Sequence, residues 1–273
     1  MLLDINAPPK HSTPDKAAPQ LPGICAPTPF PDTAGLPLHL LEPQPEVPTP
    51  WKTAVEFVVA ALLLTVFLPV ILLTAALVRV TSRGPAFYLQ TRVGKGGRLF
   101  RIYKLRTMYH DIEKVSGARW SAAGDPRVTF LGRFLRRTHL DELPQLFNVL
   151  KGEMSLVGPR PERPEFVSVL EREIARYRER LTVRPGVTGL AQVYLPPDTD
   201  LSSVRRKLTY DLAYTQRMNP WLDLRLMLVT GLRVLGLPLS ALAWVFRLPD
   251  PQDIERPTPS AARSVEPLTG PVL

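Results

Sequence analysis

The stretch VEFVVAALLLTVFLPVILLTAALV, Val55 to Val78, holds one ionisable residue, Glu56, in 24 positions. A helix needs about 20 apolar residues to cross a bilayer. A surface helix of a soluble domain keeps one polar face, and this segment has none. It therefore reads as membrane-embedded. Pro69 sits at its midpoint. Proline removes an amide donor and kinks or breaks a helix interior. The two halves, about 14 and 10 residues, are each too short to cross alone. Two readings stay open: a kinked span, and a re-entrant hairpin that enters and leaves from one side.

Downstream, Arg79, Arg83, Arg92, Lys95, Arg98, Arg101, Lys104 and Arg106 follow closely, whereas Lys52 alone flanks the other end. Such a cluster stays cytoplasmic, near anionic headgroups. The charge rule by itself permits a simple span. PAFYLQTRVGKGGRLFRIYKLRTM, Pro85 to Met108, puts two aromatic and β-branched runs around Gly94-Lys95-Gly96-Gly97, which predicts a β-hairpin. RVTFLGRFLRRT spaces Val128, Leu131, Phe134 and Leu135 as a helix does. A second helical face is expected from Leu143, Leu146, Phe147 and Leu150. A third is expected from Phe166, Val169, Leu170, Ile174, Tyr177 and Leu181. Trp221 to Leu248 is apolar but interrupted by Asp223, Arg225, Arg233, Arg247 and Pro238. It reads as an amphipathic segment lying at the interface rather than crossing.

The 273 residues suffice for one sizeable domain with tails. Net charge is +9, yet residues 1–50 carry −3, so the body carries +12. A basic body calls for an anionic partner: nucleic acid, lipid or a phosphorylated substrate. No nucleic-acid motif accompanies the charge, and the long apolar segment counts against that class. Cys25 is the single cysteine and the four histidines are scattered, which leaves no zinc-type pattern. Thirteen of the first 50 residues are proline, without apolar periodicity. Residues 1–50 and 249–273 read as disordered tails around a membrane element at 51–80 and a catalytic domain at 81–248.

The chemistry concentrates in RRTHLDELPQLFNVLKGEMSLVGPRPE, Arg136 to Glu162. Pro144 is tolerated only in a first helical turn, so Asp141 and Glu142 fall in or before that turn. Acidic residues favour a helix start in any case, which is charge decoration enough for the pair alone. Unpaired amides there also attract phosphate, and an ionised aspartate can form an aspartyl-phosphate. Two carboxylates facing a diphosphate need cations. Lys104, Arg106, Arg136, Arg137 and Arg160 are the candidates, while Arg98 and Arg101 read as surface charge. A magnesium ion would bridge carboxylate and phosphate oxygens.

KLRTM (Lys104–Met108), the Arg136–Glu162 segment and RPGVTGLAQV (Arg184–Val193) occur in that order. They resemble the bacterial sugar transferase family, the monotopic polyprenyl-phosphate hexose-1-phosphate transferases of surface-polysaccharide synthesis. The resemblance runs from about Trp51 to about Gly236. It implies an α+β, mostly helical, membrane-associated catalytic domain with a β-hairpin and a re-entrant helix broken at a proline, here Pro69. Leu68 stands where the family usually has serine. The implied reaction moves sugar-1-phosphate from a UDP-sugar to undecaprenyl phosphate, with release of UMP. By the same resemblance Asp141 is the nucleophile and Glu142 its metal- or proton-handling partner. Arg136 and Arg160 hold phosphate, and Gln145 and Arg184 join the substrate-binding candidates. Mg2+, held by Asp141 and Glu142, is the implied cofactor. The implied location is the cytoplasmic face of the bacterial inner membrane, among lipids. A membrane-anchored scaffold of the same fold is the rival reading, and it has no need of Asp141.

Overall fold

The computed structural model describes residues 49–110, 112 and 124–256. The expected tail over residues 1–50 lies outside them except for Thr49 and Pro50, and Pro50 is helical. Proline at the first helical position starts α1, Pro50–Thr81, a helix of 32 residues or about 48 Å. The expected break at Pro69 does not occur: the chain is helical on both sides of it and through it. Proline forfeits one amide donor there, at roughly 3 kcal/mol. Packing at both ends of α1 outweighs that local cost. Near the start, Lys52 Nζ donates to Tyr214 Oη at 2.9 Å and pairs with Asp223. Glu56 Oε1 accepts from Ser155 Oγ at 2.6 Å and from the Leu156 amide at 3.0 Å. Near the end, Ala75 and Val78 pack with Leu105 and Leu135. Between the ends, Leu62, Val66, Leu72 and Leu73 stay exposed.

The predicted hairpin forms. Strand β1, Phe87–Val93, pairs antiparallel with β2, Leu99–Leu105, in the register Phe87↔Leu105 to Val93↔Leu99. Gly96 (φ 65°) takes the left-handed backbone that the turn requires. Helix α2, Phe130–Thr138, follows, capped by the Thr129 hydroxyl on the Gly132 amide at 2.9 Å. Of its expected apolar face, Val128 and Leu135 are buried, Leu131 is half-buried and Phe134 is exposed, as is the neighbouring Phe130. His139, at φ 56°, ends α2 and starts a 3₁₀ turn, Leu140–Gln145, which runs into α3, Leu146–Leu150. The expected second helix is thus split, and Phe147 lies outward while Leu146 and Val149 enter the core.

Strands β3 (Ser155–Val157) and β4 (Gly186–Thr188) form a parallel pair, Ser155↔Gly186 and Val157↔Thr188. Their connection carries α4, Pro164–Glu173, and a 3₁₀ turn, Tyr177–Thr182. The third predicted helix therefore stops early, because Ile174 is extended and Arg176 is left-handed (φ 63°). Val167, not Val169, joins its buried face. Short α5, Leu190–Tyr194, leads to α6, Leu201–Arg217, which opens with an Asp200–Ser203 capping box. Helices α7, Pro220–Val234, and α8, Leu239–Val245, divide the Trp221–Leu248 segment beside Pro238. The expected tail from residue 249 needs correction over its first residues. Pro251–Glu255 form α9, whose Ile254 is buried in the core and whose Glu255 bonds Tyr210 and Arg206. Residues 257–273 lie outside the described residues. The main core runs from Ala60 through Leu146, Leu156, Leu190 and Tyr214 to Leu226 and Val229.

Candidate active site

The 3₁₀ turn packs across β2, which sets Asp141 and Glu142 against Lys104 near the strand end. The seating comes from Asn148 on α3, which is fully buried. Its Oδ1 accepts the Tyr103 amide at 3.0 Å, and its Nδ2 donates to the Arg101 carbonyl at 2.7 Å and to Glu153 at 2.7 Å. One side chain thus stands in for a missing strand partner along β2.

The two carboxylates differ sharply. Glu142 is doubly paired: Lys104 Nζ lies 2.8 Å from Oε1, and Arg160 grips both oxygens at 2.6 and 3.2 Å. Burial alone would raise its pKa, but Arg160 and Lys104 together hold the carboxyl well below the usual range. In Lys104, burial lowers the ammonium against the opposing pull of Glu142. The carboxylate shared by two cations is the firmer half of that pair. Asp141 is 8% exposed, and among the described residues no hydrogen bond or salt bridge holds its carboxyl. Burial first, and then the Glu142 charge, push it up to about 6, against the pull of Lys104, Arg136 and Arg160. Asp141 is therefore ionised at neutral pH while keeping an uncommitted, poorly solvated carboxylate.

Helix α2 delivers Arg136, whose Nε donates to Thr107 Oγ1 at 2.9 Å. The approach of α2 is close. A Cβ on Gly132 would stand 2.0 Å from the Thr107 carbonyl oxygen, so no larger residue fits. The loop after β3 delivers Arg160, whose side chain remains 36% exposed. Lys104, Arg136 and Arg160 against Asp141 and Glu142 leave one net positive charge, which suits an incoming diphosphate.

The other expected site residues sit elsewhere or differently. Arg106 is buried at the end of α1, where its guanidinium donates to the carbonyls of Arg83, Ser82 (3.0 Å) and Gly84 (3.3 Å). It ties down the loop that follows α1 rather than facing the dyad. Arg137 is exposed on α2. Arg184 Nη1 donates to Thr53 Oγ1 at 2.8 Å, tying the β4 approach to the start of α1. Gln145 shares the turn with Asp141 but is 1% exposed, and its Nε2 has no partner among the described residues. Thr107, Gly132 and Asn148 escaped the sequence reading. Thr107 lies inside the first motif and Asn148 inside the second, but nothing in their spacing shows what they bond.

Among the described residues no cluster of three or more His, Cys, Asp or Glu side chains forms a metal site. A magnesium ion fits only in the way this hard cation is usually held with phosphates, by one or two carboxylates plus substrate oxygens. Asp141 is the carboxylate open to it. Glu142 is already engaged by Lys104 and Arg160.

The bacterial sugar transferase family model matches residues 47–236. A relative from Aeromonas hydrophila, named UDP-N-acetylgalactosamine-undecaprenyl-phosphate N-acetylgalactosaminephosphotransferase, is 44% identical over 179 residues, 66% of this chain and 42% of its own length. A relative from Caulobacter vibrioides, named UDP-glucose:undecaprenyl-phosphate glucose-1-phosphate transferase, is 44% identical over 181 residues, 66% of this chain and 67% of its own. One of the same name from Xanthomonas campestris is 40% identical over 187 residues, 68% of this chain and 39% of its own. The chain thus spans about two fifths of the Aeromonas and Xanthomonas relatives. With the family model covering well over half of the sequence and the dyad at its centre, the chain belongs to the bacterial sugar transferase family.

Proposed function

We propose that the protein is a phosphoglycosyl transferase that moves sugar-1-phosphate from a UDP-sugar to undecaprenyl phosphate, the first step of a surface glycan such as an exopolysaccharide. The observation that carries this reading is the asymmetry of the dyad. Glu142 is neutralised by two cations, whereas Asp141 is buried, ionised at neutral pH and unpaired. A structural acidic pair has no reason to leave one of its buried charges without a direct hydrogen-bonding partner.

In the first step an Asp141 oxygen attacks the phosphorus that bears the sugar. The bond from that phosphorus to the bridging oxygen breaks, and UMP leaves with the electron pair. Arg136 and Arg160 offset charge on the phosphoryl oxygens, while Glu142 keeps Lys104 and Arg160 in position. In the second step an oxygen of undecaprenyl phosphate attacks the same phosphorus. The acyl-phosphate bond breaks, the Asp141 carboxylate is restored and the new diphosphate departs in the lipid. Bound magnesium would supply charge neutralisation on the donor diphosphate beside Asp141.

The placement of α1 supports work at one membrane face. Its start is bonded to Asp223, Tyr214 and Ser155, and its end to Arg106 and Leu105, all within one body. Both ends of this unbroken helix are tied to the same domain, so we read α1 as seated on one membrane face with its exposed middle toward lipid, and both ends and the domain at the cytoplasmic face. The exposed Trp221 and Trp244 on α7 and α8 suit the headgroup level.

The test is a panel of labelled UDP-hexoses with undecaprenyl phosphate and magnesium. UDP-glucose and UDP-N-acetylgalactosamine both belong in it, since relatives at the same 44% identity carry both names. Without lipid acceptor, label is expected on the protein, at Asp141 by peptide mass spectrometry. Label on Glu142, or full turnover by Asp141→Asn, would refute the assignment.

A further inference from the structure

Pro159-Arg160-Pro161-Glu162 presents Arg160 to the dyad, yet two of its four residues have no amide hydrogen to donate. The segment is held instead by its carbonyls, and all four are taken by donors from three other parts of the chain. The Gly186 amide bonds the Pro159 oxygen at 2.9 Å. Arg180 Nη2 bonds the Arg160 oxygen at 2.7 Å. Arg92 Nη1 bonds the Pro161 oxygen at 2.9 Å. The Val93 amide bonds the Glu162 oxygen at 2.9 Å. The grip on Arg160 itself is the most deeply set. Arg180 is 3% exposed and Asp211 2%. Arg180 Nε and Nη2 lie 2.9 and 2.7 Å from Asp211 Oδ2, and Nη1 lies 3.0 Å from Tyr177 Oη.

We infer that Arg180, braced by Asp211 on α6, is a positioning residue for Arg160 that acts through the Arg160 carbonyl. This rests on the reading of the site as a phosphoglycosyl transferase. The reach of the geometry is short. Arg180 fixes the backbone of Arg160, and the Arg160 guanidinium in turn fixes Glu142 bidentately and faces the donor diphosphate. Burial of an ion pair is weak evidence for stability, because desolvation offsets most of its attraction. What the pair supplies is a fixed direction for the guanidinium fork, which lysine at the same place cannot reproduce.

The experiment is a double-mutant cycle on donor kinetics in the full chain, since only coupled residues depart from additivity. Arg180→Lys is expected to keep its melting temperature within a few degrees of wild type and to lose at least tenfold in kcat/KM for the UDP-sugar, mostly in KM. In an Arg160→Ala background the same change is expected to cost less than twofold. Should Arg180→Lys fail to fold, Arg180→Met with Asp211→Leu removes the pair without leaving a lone buried charge, and the same pattern is expected. Equal losses in both backgrounds, or no loss in a folded variant, would overturn the inference. An independent readout is the Arg160 Nε–H resonance of 15N-arginine-labelled protein, assigned by its disappearance in Arg160→Lys. It should be sharp in wild type and broadened in the clamp variant, and an unchanged signal overturns the clamp. If wild type transferred no sugar from any donor, the proposed reaction would fail while this resonance still decided the clamp.

Discussion

Replacing Asp141 with asparagine should stabilise the protein while abolishing its turnover. The carboxyl titrates at about 6 in the folded chain against 3.8 when free. The sign follows from proton linkage. Above pH 6 the carboxyl is ionised in both states, and the folded state bears the cost of a buried, repelled charge. As the pH falls from 6 to about 4, the folded chain binds a proton that the unfolded chain does not, and the cost disappears. A gap of roughly two units is worth about 3 kcal/mol at 1.36 kcal/mol per unit. That is an upper figure, because the asparagine amide must also be buried. For a body of this size it corresponds to on the order of 6 to 12 °C in melting temperature. The assay is thermal unfolding of both proteins in detergent micelles, followed by tryptophan fluorescence at pH 8, 6 and 4.5. The variant should melt higher at pH 8, and the gap should close toward pH 4.5. On the proposed role of Asp141 as nucleophile, turnover should fall by several orders of magnitude. A variant that melts no higher than wild type at pH 8, or a gap that does not change with pH, would refute the account of the dyad.

Formation of labelled protein from UDP-sugar should slow about tenfold per pH unit below about pH 6, as measured by rapid quench, because protonated Asp141 is no nucleophile. Gly132→Ala should force α2 off the Thr107 carbonyl and carry Arg136 away with it, so that donor transfer falls at least tenfold and the melting temperature drops together. Asn148→Ala should cost about 2–4 kcal/mol, since it strands two backbone groups of β2, with denaturant unfolding as the measure. Cysteines placed by Thr49→Cys and Ser82→Cys, after removal of Cys25, should both resist an impermeant thiol reagent in intact cells. Labelling at position 49 from outside would restore the simple span.

The long apolar helix, the glycine-turned hairpin and the Asp-Glu pair were legible because each is a local pattern. The extent of helix was legible less often. Leu181 falls on the expected stripe although α4 ends at Glu173, because a 3₁₀ turn after a bend still brings every third or fourth residue to the same face. Phe134 lies on the expected helical stripe yet stays exposed, so spacing marks an apolar face without saying whether protein or another medium covers it. The division of labour within the dyad was legible only through the resemblance and not in the residues themselves. Glu142 owes its state to partners 38 and 18 residues away, and nothing in the pair itself shows which carboxylate they will choose. Arg106 looked like Lys104 in the sequence, and only the carbonyls at the end of α1 distinguish them.

The lock at the start of α1 also sets an order of events during synthesis. Lys52 meets Asp223 across 171 residues, and Glu56 meets Ser155 across 99. At 5–20 residues per second the ribosome needs on the order of ten to thirty seconds to supply that aspartate. Through this interval the apolar middle of α1 is already made, while its two leading charges, Lys52 and Glu56, have only each other. The buried bonds that fix the first turns of α1 to the domain therefore cannot form until nearly the whole domain has been made, so the start of α1 is seated late.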